Sequence, residues 1–153
     1  MDHEFSTAPL EPGLVGWDWF SFQLSDNTDI MIYLLRQKDG SLNSVSSGTY
    51  VRSDGKTRHL ARHDIEVSVT DTWSSPNSGA VYPARWQLKI PLLSLDLNIS
   101  PNLADQEMRT GESTGVTYWE GSVSVRGFKS RRRINGQGYV ELTGYAKAFD
   151  APL

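Results

Sequence analysis

There is no cysteine in the 153 residues, which removes disulfides, thiolate metal sites and cysteine nucleophiles together and leaves the redox compartment open. Positive charge is not in excess either. Fifteen lysines and arginines stand against eighteen aspartates and glutamates, for a formal net charge of −3. The chain as a whole therefore carries no electrostatic footprint for nucleic acid and no global pull toward anionic membranes. No apolar run approaches the length of a transmembrane helix, and the first residues lack the basic-then-apolar pattern of a signal segment. Helical periodicity, internal repeats and low-complexity tracts are missing as well.

What is present is the alternation of β-strands. In "HDIEVSVTDTW", Ile65, Val67, Val69 and Trp73 share one face, with Glu66, Ser68, Thr70 and Thr72 on the other. Leu93, Leu95, Leu97 and Ile99 alternate with polar residues in the same way, as do Trp86, Leu88 and Ile90. Period-two patterning of this kind predicts half-buried antiparallel strands. Asp, Asn and Gly clusters at 25–29, 38–41, 53–56 and 134–137 supply turn chemistry between them. About nine strands follow, near 15–24, 29–37, 44–51, 56–60, 63–73, 84–91, 93–99, 116–126 and 137–147. Segments 74–83 and 100–115 read as loops. An antiparallel sheet with so many hairpins must curl into a barrel or fold into a sandwich. Residues 1–153 are thus expected to form a single all-β domain. The strands "GWDWFSFQL" and "DIMIYLLRQ" are apolar on both faces, so each needs a second cover: a ligand, a terminus or another domain.

Candidate chemistry gathers on two strands. "VTYWEGSVSVRG" sets Tyr118 and Glu120 on one face, with Trp119, Val123 and Val125 on the other, and "GYVELTGY" groups Tyr139, Glu141, Thr143 and Tyr145. A hairpin through Asn135-Gly136 would make these strands neighbours and line one surface with phenols and carboxylates. If that surface faces a cavity, burial raises a carboxyl pKa as a general acid requires. If it faces water, these are ordinary cross-strand pairs. Asp2, His3 and Glu4 can supply an acid–base group or a metal ligand; a solvated terminus is the plainer reading. His59 and His63 lie four apart, but on a strand or turn rather than a helix, so no metal site is expected there. Arg131, Arg132 and Arg133 read as a solvated hairpin tip. "GESTG" lacks the lysine and helix of a phosphate loop, and no G-x-S-x-G elbow occurs.

Taken in order, "MDHEFST", "GWDWFSFQL", "SSGTYV", "TWSSPNSGAVYPARWQLKIP", "YWEGSVSVRG" and "GYVELTGY" resemble the C-terminal half of the AttH-like and carotenoid 1,2-hydratase (hydroxyneurosporene synthase) family. The resemblance runs over residues 1–147. It implies a lipocalin-like β-barrel, the second of two in tandem, with Met1 an internal methionine and an N-terminal lipocalin-like domain as partner in cis. Members are often labelled secreted hydrolases, and the hydratases among them add water to a terminal double bond without a cofactor. The expected ligand is an apolar small molecule, isoprenoid- or polyketide-like, and the expected location is periplasmic or secreted.

The family's Tyr-x-acid pair falls on Tyr118 and Glu120, with glutamate in place of aspartate. In that expectation Glu120 donates the proton and Tyr118 orients it. Asp2, His3 or Asp18 complete the site against the partner domain. Trp17, Trp19 and Trp119 stabilise a carbocation, and Tyr139 and Glu141 extend the ligand surface. A barrel that only binds a hydrophobic ligand, or only supports a catalytic neighbour, stands beside the enzyme reading.

Overall fold

The computed structural model describes residues 13–110 and 115–147. Asp2 and His3 lie outside the described residues. Ten strands form one antiparallel sheet: β1 (Leu14–Leu24), β2 (Asp29–Gln37), β3 (Ser47–Val51), β4 (Thr57–Ala61), β5 (Glu66–Ser74), β6 (Val81–Ile90), β7 (Leu95–Pro101), β8 (Glu107–Arg109), β9 (Thr117–Lys129) and β10 (Arg132–Leu142). The order is β4-β3-β2-β1-β10-β9-β7-β6-β5, with β8 added to β9. Single 3₁₀ turns at Arg62–Asp64 and Pro91–Leu93 are the helical elements among the described residues.

The sheet curls into a half-barrel. Phe20 on β1 meets Trp86 on β6 edge-on at 5.8 Å between ring centroids, although three strands separate β1 from β6. Only strong curvature brings those rings together. Alternation explains what fills the concave side: Phe20, Phe22 and Leu24 from β1, Ile30, Ile32 and Leu34 from β2, Trp86, Leu88 and Ile90 from β6, and Leu95, Leu97 and Ile99 from β7 are all buried. Burying a side chain of this size stabilises by about 1.5–3 kcal/mol each before chain entropy is counted.

Three expectations change. The segment 100–115 is not all loop, because β8 lies within it. The β9–β10 hairpin does not turn at Asn135-Gly136; it turns at Ser130-Arg131, leaving Asn135 and Gly136 inside β10. Tyr145 does not continue the face of Tyr139 and Glu141, because β10 ends at Leu142 and Gly144 takes φ +73°, which redirects the chain. The expectation of strands apolar on two faces holds. The convex side of β1 and β2 carries Trp17, Trp19, Tyr33 and Leu35 half-buried and Met31 exposed.

Candidate active site

The residues singled out in the sequence divide between the two sides of the sheet. On the convex side, Trp19 of β1 lies opposite Glu141 of β10, and Glu141 opposite Glu120 of β9. Tyr139 sits between Ser21 and Ser122, and Trp17 packs on Tyr33 at 6.4 Å. The two Tyr-x-Glu faces do share one surface. Tyr118 hydrogen-bonds Glu120, and its phenol pKa is pushed up by burial first and then by the charge of Glu120. This surface is partly open to solvent. Like charges placed directly across a ladder are unfavourable, so the Glu120–Glu141 pair stands out.

Asp18 and Trp119 point the other way, into the concave side, where Asp18 meets Tyr145 and also Arg36, which the sequence did not flag. Asp18 follows the inward phase of Phe20 and Phe22 and is buried. Arg36 Nε donates to its Oδ1 at 3.0 Å, and the Tyr145 hydroxyl lies 3.1 Å from both carboxylate oxygens. The Arg36 guanidinium also donates to the Thr143 carbonyl and rests 3.8 Å over the Tyr145 ring. Only glycine fits at position 16. A Cβ there would come within 2.3 Å of the Thr143 carbonyl oxygen and 2.7 Å of the Arg36 guanidinium.

Tyr145 packs on Tyr82 at 5.7 Å, and Tyr82 stacks on Trp73 at 6.1 Å. The Tyr82 hydroxyl donates to Glu107 Oε1 at 3.1 Å, and Glu107 Oε2 accepts from Ser75 Oγ at 2.7 Å. Ser78 donates to the same carboxylate. Below them, Trp119 donates its indole N–H to the Ala104 carbonyl at 2.9 Å and lies 6.5 Å from Trp86. The buried Trp86 N–H has no acceptor among the described residues.

The electrostatics of the two carboxylates are opposite. Burial pushes the Asp18 pKa up, and this outweighs the opposing pull of Arg36 and Tyr145. Burial also acts upward on Glu107, but hydrogen bonds from Ser78, Ser75 and Tyr82 outweigh it and hold the carboxylate below its usual range. The phenols of Tyr145 and Tyr82 are both pushed up, first by burial and then by the adjacent carboxylates, so both remain hydrogen-bond donors. Two carboxylates with environments that separate their pKa values are the signature of an acid and a base. One end of the half-barrel thus carries a carboxyl whose pKa is raised, a carboxylate whose pKa is lowered and aromatic faces between them.

Asp18 and Arg36 were legible in principle. Each is a charged residue in the inward phase of a strand that is otherwise apolar in that phase. Glu107 was not, because a three-residue strand has too little periodicity to announce itself. Tyr82 stood in a stretch whose Ser, Pro, Asn and Gly content reads as loop.

Comparison with known proteins agrees with this fold. The chain is 24% identical over 141 residues to kievitone hydratase of Fusarium solani subsp. phaseoli, covering 92% of the chain and 39% of that protein. A crystal structure of a Nitrosomonas europaea protein assigned to AttH superposes with a TM-score of 0.78 at 32% identity, over 89% of this chain and 40% of that one. Kievitone hydratase from Nectria haematococca superposes with a TM-score of 0.70 at 24% identity, over 88% of this chain and 40% of that one, a likeness of fold. The chain therefore spans about two fifths of the length of these relatives. A family model described as AttH-like matches residues 1–145, and the chain belongs to the AttH-like family.

Proposed function

We propose that this half-barrel is the acid–base domain of a longer hydratase-type protein that adds water to an alkene of an apolar small molecule. The observation that carries the reading is the pairing of Asp18, pushed toward its protonated form, with Glu107, held ionised, at either end of the Tyr145–Tyr82 contact. The curated relative named as a hydratase supports the reaction class.

In this reading Asp18 transfers its proton to one alkene carbon and leaves a carbocation on the other. The faces of Tyr82, Trp86 and Trp119 stabilise that cation. Glu107 takes a proton from a water whose oxygen bonds to the cationic carbon, so one water is added. The resulting Asp18 carboxylate is held by Arg36 and Tyr145, and a proton exchange with solvent resets both groups. Neither step calls for a cofactor.

A second reading keeps the chemistry on the convex face, with Glu120 as donor, Tyr118 orienting it, and Trp17, Trp19, Tyr139 and Glu141 contacting the ligand beneath a partner domain. The Glu120–Glu141 opposition favours it. Asp2 and His3 belong to that reading as groups contributed at the same junction.

The test uses the intact protein with kievitone and a set of isoprenoid alkenes, scored for a product heavier by one water. Glu107→Gln and Asp18→Asn are expected to lower kcat at least about a hundredfold, the usual scale for a lost acid–base group, while Glu120→Gln keeps turnover. The reverse pattern moves the chemistry to the convex face. Saturable binding of the alkenes without any hydrated product makes the domain a binder.

A further inference from the structure

Net charge conceals a strong local asymmetry. No acidic residue occurs between Glu120 and Glu141, whereas five of the fifteen lysines and arginines, Arg126, Lys129, Arg131, Arg132 and Arg133, fall in the hairpin "RGFKSRRR". Lys129 is neutralised by Asp26, with Nζ 2.6 Å from Oδ2. The four arginines are exposed, and none of them forms an ion pair among the described residues.

The backbone places one of these arginines at the apex at a cost. Ser130 and Arg131 are the two central turn residues, with φ of 48° and 68°, where Asn-Gly is the favoured pair. Strain of this kind in non-glycine residues gathers at functional positions. Apolar side chains flank the apex. The Ser130 N–H donates to the Ser94 carbonyl at 2.9 Å, which joins the hairpin to the Pro91–Leu93 turn, where Leu92 is 44% exposed. Phe128, 49% exposed, lines a cleft of about 650 Å³ together with Arg126 and Arg133. Arg132 borders a neighbouring cleft of about 470 Å³.

We propose that this end of the half-barrel docks on an anionic lipid bilayer, with the arginines at the level of the phosphate headgroups and Leu92 and Phe128 reaching into the interface. Cations interleaved with exposed aliphatic and aromatic side chains match a charged layer over an apolar one. A polyanion such as nucleic acid offers no apolar counterpart to Leu92 and Phe128. At the same end Asp26 pairs with Lys129 at 2.6 Å and Asp96 with Lys89 at 4.0 Å, which leaves the four arginines as the unpaired charge of the hairpin among the described residues. The Asp18–Glu107 cluster lies at the opposite end of the half-barrel, so the docking surface stands independently of the proposed chemistry.

The experiment is co-sedimentation of the intact protein with phosphatidylcholine vesicles, with or without phosphatidylglycerol. Wild type is expected to pellet with the anionic vesicles only, and less so as salt rises. Replacing Arg131, Arg132 and Arg133 together by Gln should weaken partitioning roughly a hundredfold, several-fold per cation. Leu92→Ser with Phe128→Ser should weaken it at all salt concentrations. The double variant Ser130→Asn, Arg131→Gly relaxes the turn, so it should melt higher and yet bind several-fold less, which separates folding from docking. Equal binding to both vesicle types, no binding at low salt, or retention on heparin with none on anionic vesicles would each overturn the proposal.

Discussion

Arg36 is the residue whose loss should be felt most. It pairs with buried Asp18 at 3.0 Å, covers the Tyr145 ring and donates to the Thr143 carbonyl. Replacing it with Met leaves Asp18 without its cation, and breaking a buried pair this way costs about 3–5 kcal/mol. A fall in Tm of that scale is expected by calorimetry at pH above the raised Asp18 pKa, where the carboxyl is ionised, and a smaller one below it, where Asp18 holds its proton. An unchanged Tm would mean that the pair contributes little. The same residues set a pH dependence. In the proposed reaction Glu107 acts ionised and its pKa lies below the usual range, so activity should persist well into acid before its limb falls. Asp18 acts protonated in that reaction and its pKa lies above its usual value, so activity should fall as pH rises through that raised value. Glu107→Gln should abolish the acid limb in a kcat/KM profile, and a profile flat across both ranges would dissociate these carboxylates from the reaction.

At the scale of elements, the register of β9 and β10 shows what the sequence could not announce. Asn135-Gly136 has the composition of a tight turn, yet it lies within a strand. Four successive inward pairs of the ladder set a glycine against a branched side chain: Gly121 against Val140, Val123 against Gly138, Val125 against Gly136 and Gly127 against Ile134. Gly138 also abuts β1, where a Cβ would come 2.0 Å from the Ser21 carbonyl oxygen and 2.6 Å from the Phe22 ring. Packing thus fixes the register and leaves Ser130-Arg131 to make the turn. Local turn propensity lost to a side-chain match spread over four rungs. Gly138→Ala should therefore destabilise by about 1–3 kcal/mol, read as a lower denaturation midpoint, and a neutral result would show that β1 and β10 can separate. Across the same ladder, Glu120→Gln should stabilise by about 0.2–1 kcal/mol by removing a like-charge opposition to Glu141, with the gain shrinking as salt rises. Destabilisation instead would show that Tyr118 or another neighbour needs the carboxylate.

At the scale of the molecule, the all-β class and most strand limits were legible because alternation carries them, from Phe20–Phe22–Leu24 to Leu95–Leu97–Ile99. The site was legible only in part. Asp18 and Trp119 were noted, but the cluster is assembled by curvature. Curling of the sheet brings Tyr82 of β6 against Tyr145 beyond β10, and no spacing along the chain encodes that meeting. The convex side poses the remaining question at this scale. Trp17 and Trp19 are half-buried beside exposed Met31, an apolar strip that a further part of the protein would cover, and the chain accounts for about two fifths of its relatives' length. Iodide quenching of the intact protein reads this directly. Trp86 and Trp119 are buried, but Trp73 is half-buried as Trp17 and Trp19 are, so the strip is read from the change that the double variant Trp17→Phe, Trp19→Phe makes. If a partner domain lies on the strip, the double variant leaves the accessible fraction unchanged. If the strip is bare, iodide quenches a substantial fraction of the wild-type emission and the double variant loses it. Chemistry beneath a partner domain at Tyr118 and Glu120 would then have no roof, and the Asp18–Glu107 end would stand alone as the acid–base site.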